Sequence, residues 1–224
     1  MTESVEPAAP TAPRARQGGP PLALPAIAYG VFVVASAAIG AGGTRPDMSA
    51  AQVLAYDLGH VTLLKVLATV VFAAALPLVI WAATGYQWLR DRGISAPGTV
   101  MALSGGILAA AALASSALAT WSAADSASAA APALAHALTG FAFAAGGSGF
   151  VVPFALMVAG VAVPSLIRRL LPRWMSIAGL VIAAVGMVAT LALLTPALYP
   201  LLPIVRFGGL IWLLVASFLL PRRG

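Results

Sequence analysis

The stretch that decides the fold is Val61–Arg92, VTLLKVLATVVFAAALPLVIWAATGYQWLRDR. An apolar run, Val61–Trp88, closes on Arg90 and Arg92. At 1.5 Å per residue it exceeds the thickness of a bilayer core of about 30 Å. Arginines against the end of such a run mark the cytoplasmic side of a membrane span.

Five further runs share this character: Leu22–Gly43, Pro97–Trp121, Ala133–Leu166, Trp174–Thr195 and Leu201–Leu220. Basic residues fall in alternate gaps. Arg14 and Arg16 precede the first run, Arg90 and Arg92 follow the second, and Arg168, Arg169 and Arg173 follow the fourth. Arg222 and Arg223 follow the sixth, which makes nine of the 12 basic residues on one side. The opposite gaps hold Arg45 alone. This pattern predicts an all-α, polytopic transmembrane bundle of six helices with both termini cytoplasmic. Residues 1–21, rich in Pro, Ala and Gly, read as a disordered cytoplasmic tail, and 22–224 as one transmembrane domain. The first run is too long for a signal-peptide core and reads as an uncleaved helix.

Composition agrees. Hydrophobic residues make up 61% of the chain and charged residues 8%, against roughly 25% charged in a soluble domain. The net charge of +6 lies at span ends instead of forming a patch, so no nucleic-acid partner is expected and the lipid bilayer is. The absence of cysteine excludes disulfides, thiolate metal sites and Cys nucleophiles. An Ala-rich chain that prefers Arg to Lys points to a high-GC bacterium, and so to the bacterial cytoplasmic membrane as its location. No Walker A, GxSxG or HExxH pattern occurs, and no acidic residue lies mid-span. Neither enzymatic chemistry nor a cofactor is therefore expected, and ion-coupled transport is disfavoured.

The outer gap Gly43–His60 contains Asp47 and Ser49 as N-caps before Ala50–Leu58, which predicts a short outer helix or a straight extension of span two. Span four is longer than a bilayer needs and carries Gly146, Gly147, Ser148 and Gly149, then Pro153 and Pro164. It reads either as a broken helix around a cavity or as a long, tilted helix whose glycines allow close packing. The second is favoured, because broken transporter helices come in pairs and no partner segment is evident. Trp81 and Trp212 read as packing residues, and Tyr86, Trp88, Trp121, Trp174 and Tyr199 as an interfacial belt.

Five residues are candidates for a site. Arg206 sits about 7.5 Å below the outer end of span six. Either it positions an anionic ligand, paired with Asp57 or Asp125, or it snorkels outward or caps carbonyls freed by Pro196, Pro200 and Pro203. Lys65 lies at the outer edge of span two, where snorkelling accounts for it. On a continuous helix Asp57, His60 and Lys65 would form one polar stripe. His60 and His136 precede spans that run inward, so a bis-histidine haem is a third, weaker reading and no metal site is expected.

The run Ile204–Leu220, with Arg206 near its outer end and Trp212 within, closes on Pro221-Arg222-Arg223 and follows Arg173-Trp174 at the head of span five. It resembles a family of uncharacterised six-helix bacterial membrane proteins of actinobacterial type. The resemblance implies the span count and a family role for Arg206, and no activity or ligand. The leading expectation is a non-enzymatic membrane protein with an outward-facing pocket lined by Asp57, His60, Lys65, His136 and Arg206. That pocket would take a small anionic or lipid-like ligand or a partner membrane subunit. A small transporter, alone or as a homo-oligomer, is the alternative.

Overall fold

The computed structural model describes residues 21–44, 47–127, 129 and 131–220. The expected tail and Arg14, Arg16, Arg45, Arg222 and Arg223 lie outside these residues. Eight α-helices follow in order: α1 Ala23–Ile39, α2 Ala50–Gly59, α3 Val61–Asp91, α4 Pro97–Ser126, α5 Pro132–Gly146, α6 Ser148–Arg168, α7 Arg173–Val188 and α8 Leu201–Leu219. Two short 3-10 turns, Ala189–Leu193 and Pro196–Leu198, link α7 to α8. No strand occurs among the described residues.

Five helical segments are long and apolar enough to cross a membrane, and α1, at 17 residues, is a shorter apolar helix. The expected first span ends early, at Ile39 instead of Gly43. There Gly40 donates to the Ser36 carbonyl and Gly43 to the Gly40 carbonyl, so the glycine-rich segment turns instead of continuing the helix. Leu24, Val31, Leu76, Ile107, Val181 and Ile211 stand exposed around the bundle. An apolar perimeter of this extent suits lipid as the solvent. The chain is thus a helical multi-pass membrane protein.

The helices close a circuit. α1 packs on α3, α3 on α4, α4 on α6, α6 on α7, α7 on α8, and α8 returns to α1. α6 is the most enclosed, with Phe150, Val151, Phe154, Met157 and Val158 fully buried. Lipid offers helices no hydrophobic reward for associating, so close backbone approach and interhelical hydrogen bonds must hold them. Both occur. A Cβ placed on Gly105 of α4 would lie 2.6 Å from the Met157 nitrogen and 2.7 Å from the Pro153 carbonyl of α6. A Cβ on Gly160 of α6 would strike the backbone of Gly98 and Ala102 on α4. The indole N–H of Trp81 donates to Ser217 at 2.7 Å, tying α3 to α8, and that of Trp212 donates to the Met175 carbonyl at 2.8 Å, tying α8 to α7.

Span four departs from the favoured continuous helix. Gly147, at φ −84° and ψ −108°, separates α5 from α6. The close glycine packing expected of this span is present as well, at Gly146, where a Cβ would lie 2.6 Å from the Ser116 Oγ of α4, and again at Gly160.

The two ends of the bundle differ. The α3–α4 connection, from Gly93 to Ala96, meets Pro164, Ile167 and Arg168 at the end of α6. Arg90, Arg92, Arg168, Arg169 and Arg173 therefore gather at one end. The other end carries α2, the α4–α5 connection and the 3-10 turns.

The glycine seam makes a paired prediction. Gly105→Ala forces α4 and α6 apart and costs about 1–3 kcal/mol. Gly140→Ala, where a Cβ meets nothing within 4 Å, is neutral or stabilises by about 0.5–1 kcal/mol. Thermal unfolding of the two variants in detergent micelles measures the difference.

Candidate functional site

The break at Gly147 creates the site. In an unbroken helix the Gly146 carbonyl would accept from the N–H of Phe150. Here Phe150 donates to the Gly147 carbonyl at 3.2 Å, and Val151 donates to the same oxygen at 2.9 Å. The Gly146 carbonyl is left without a helical partner, and Nη2 of Arg206 donates to it from α8. The guanidinium also lies over the Phe150 ring, 4.9 Å from its centroid. Of the two readings of Arg206, the capping one is therefore met, but at a carbonyl freed by glycine and not by the prolines of the α7–α8 link. Beside it, Ser148 donates its hydroxyl to the Ala189 carbonyl at 3.3 Å, where α7 gives way to a 3-10 turn.

Capping occupies one guanidinium nitrogen. Arg206 also lines a cavity of about 530 Å³ between α1, α5 and α8, walled by Val33, Val71, Leu113, Leu202 and Phe207. Tyr29 faces the same cavity. It is 1% exposed, and its hydroxyl has no hydrogen-bond partner. Asp47 lines the cavity too, but no carboxylate among the described residues pairs with Arg206.

A second cavity, of about 440 Å³, adjoins the first and contains Asp57 and His136. Ser116, Ala142, Phe143 and Tyr199 line both. Ser49 caps α2 reciprocally with Gln52, as its position before the helix predicts. α2 thereby turns Asp57 inward, where it is 2% exposed, and its Oδ2 has no partner. Burial raises its carboxyl above the usual carboxylate range.

Of the five expected residues, three meet here and two do not. Asp57 and His136 share one cavity, and Arg206 lines its neighbour. Lys65 pairs instead with Asp125 at 2.7 Å, half-exposed and near Trp121. This corrects the expected pairing of Arg206 with Asp57 or Asp125. The single stripe of Asp57, His60 and Lys65 is corrected as well. His60, at φ −131° and ψ 24°, interrupts the helix between α2 and α3 and breaks the register. His60 is exposed, stacked on Tyr56 at 4.1 Å with Nδ1 2.9 Å from the Tyr56 carbonyl. It does not line the cavity of His136, so the bis-histidine haem reading has no assembled pocket. No cluster of three potential metal ligands occurs among the described residues. Sequence reasoning missed Tyr29. Its signal is a phenol hydroxyl within the apolar run Ala23–Ile39, well away from either end.

Comparison with known protein families, characterised proteins and solved structures finds no match to this chain.

Two predictions follow from the geometry. Arg206→Ala strands the Gly146 carbonyl and costs about 1–3 kcal/mol, read by thermal unfolding in micelles, whereas Lys65→Ala, which removes an exposed ion pair, costs about 0–1 kcal/mol. Asp57 carries a raised folded pKa, so its stabilising contribution is complete below an unfolded value of about 3.9 and is lost as pH rises through the folded value. Asp57→Asn is therefore expected to raise the melting temperature at pH 7 and to flatten the decline in stability between pH 4 and pH 7.

Proposed function

We propose that this is a six-span protein of the bacterial cytoplasmic membrane, both termini cytoplasmic, whose outward-facing cavities bind a small anionic, lipid-like ligand. The observation that carries the reading is Arg206. It is a cation with no carboxylate partner among the described residues, it spends one nitrogen on Gly146, and it borders a cavity of about 530 Å³ with apolar walls. An anionic group at Arg206 with an apolar remainder against Val33, Leu113 and Phe207 matches those walls. The start of α6, with its dipole positive at that end, lies at the same place and favours an anion further. Orientation is supported by the five arginines gathered at the opposite end. No catalytic role is assigned.

The break at Gly147 favours a second reading, in which the cavities are one state of a small transporter and α5 moves against α6. Proteoliposomes that bind the ligand but never accumulate it under any imposed gradient would exclude that reading.

Two measurements test the proposal. The chain has no cysteine, so single cysteines report topology cleanly. Leu194→Cys is expected to react with a membrane-impermeant thiol reagent on intact cells, and Ser95→Cys only after lysis. The reverse result overturns the orientation. For the ligand, Arg206→Gln is expected to weaken binding of dodecyl phosphate to the purified protein at least ten-fold. Unchanged affinity in a folded Arg206→Gln protein refutes the anion site.

A further inference from the structure

We propose that the 440 Å³ cavity is an ammonium subsite anchored by Asp57, so that the molecule held at Arg206 is a zwitterion carrying an anionic group and a primary amine. This deepens the reading of Arg206 as the anion anchor and rests on it.

Asp57 is buried, borders the cavity, and has an Oδ2 without a partner. Among the described residues no basic side chain pairs with Asp57, and Lys65 is held by Asp125. Burying a carboxylate without a partner is costly, and a group kept in that state beside a cavity marks a binding site.

The hydroxyls around it indicate which partner fits. Ser116 donates its proton to the Ala142 carbonyl at 2.7 Å, Thr120 to the Ser116 carbonyl at 3.0 Å, and Ser148 to the Ala189 carbonyl at 3.3 Å. Each of these three hydroxyls has used its one donor and offers only lone pairs, while Thr44, Thr139 and Tyr199 bring further hydroxyls to the lining. The cavity therefore presents one carboxylate and several acceptors, and it suits a cation rich in donors. A primary ammonium brings three N–H groups, and the rings of Phe143 and Tyr199 in the same wall add cation–π attraction. A hard metal ion would require six or more oxygens, several of them charged, and no second carboxylate among the described residues lines this cavity. His136, exposed at the rim, and Tyr199 are the other titratable side chains there among the described residues. The walls shared through Ser116, Ala142, Phe143 and Tyr199 place the amine and the anion in adjoining compartments. Ligands with this chemistry include free zwitterions and the headgroup of an aminophospholipid.

The test titrates O-phosphoethanolamine and inorganic phosphate into full-length protein in phosphate-free detergent. Wild type is expected to bind O-phosphoethanolamine at least ten-fold more tightly than phosphate. Asp57→Asn should erase that preference while leaving phosphate affinity unchanged, and Asp91→Asn, at an exposed carboxylate that lines neither cavity, should leave the preference intact. A preference absent from wild type, surviving in folded Asp57→Asn, or erased by Asp91→Asn overturns the subsite. So does displacement of O-phosphoethanolamine by sodium ions in competition with its amine. Loss of phosphate binding is read separately in Arg206→Gln. If phosphate affinity there is unchanged, the anion reading fails alone, and ethanolamine binding to wild type and Asp57→Asn still decides the amine subsite. Co-purified lipid assigns the source. Enrichment of phosphatidylethanolamine over phosphatidylglycerol in wild type but not in Asp57→Asn identifies a headgroup, and equal lipid content in both identifies a free zwitterion.

Discussion

A carbonyl oxygen without a partner is one of the most expensive things a protein can place within a membrane. Ending α5 at Gly146 creates one, and the side chain of Arg206 answers it across the bundle. That bond couples two otherwise separate costs, a broken helix and a charge below the surface, and each relieves the other. The surrounding architecture follows from the pairing. α8 must present Arg206 at the height of the break, and Ser148 just beyond the break must find its own acceptor on the α7–α8 link. The space left between the displaced helix ends becomes the cavities.

The helices themselves were legible from hydropathy, because a segment in lipid must be continuously apolar and internally hydrogen-bonded. Their interruptions were not. Gly146-Gly147-Ser148-Gly149 is equally compatible with a close-packed helix and with a broken one, since absence of a Cβ permits both. The structure uses both options, breaking at Gly147 and packing on α4 at Gly146 and again at Gly160. His60 gave no warning of its break, because nothing in its chemistry forbids a helix. Of the candidate site, Arg206 stood out because charge is costly in that setting, and Asp57 and His136 were found by depth alone. The partners of Arg206 and Lys65 could not be read, since they depend on how helices distant in sequence face one another. Asp125 is 60 residues from Lys65 and meets it because α3 and α4 are neighbours.

Rigidity and openness are divided along the bundle. Toward the arginine-bearing end, α4 and α6 touch backbone to backbone through Gly98, Gly105 and Gly160. Toward the other end the same helices part company. α6 gives way to α5, and the contact of α4 with α5 leaves room for Ser116 to reach the Ala142 carbonyl at a cavity wall. One sequence of small residues thus produces a sealed half and a hollow half, and the hollow half sets the unpartnered polar groups of Tyr29 and Asp57 against its cavities.

The outer helix α2 is anchored asymmetrically. Its capping box makes it locally self-sufficient, and it packs chiefly on α5, with far less against α3, to which it is joined through His60. The roof of the cavities is therefore fastened to the one wall whose own helix is interrupted. A tilt of α5 about Gly147 would carry α2, and with it Asp57, and the hydrogen bond from Arg206 ends beside that pivot, at Gly146.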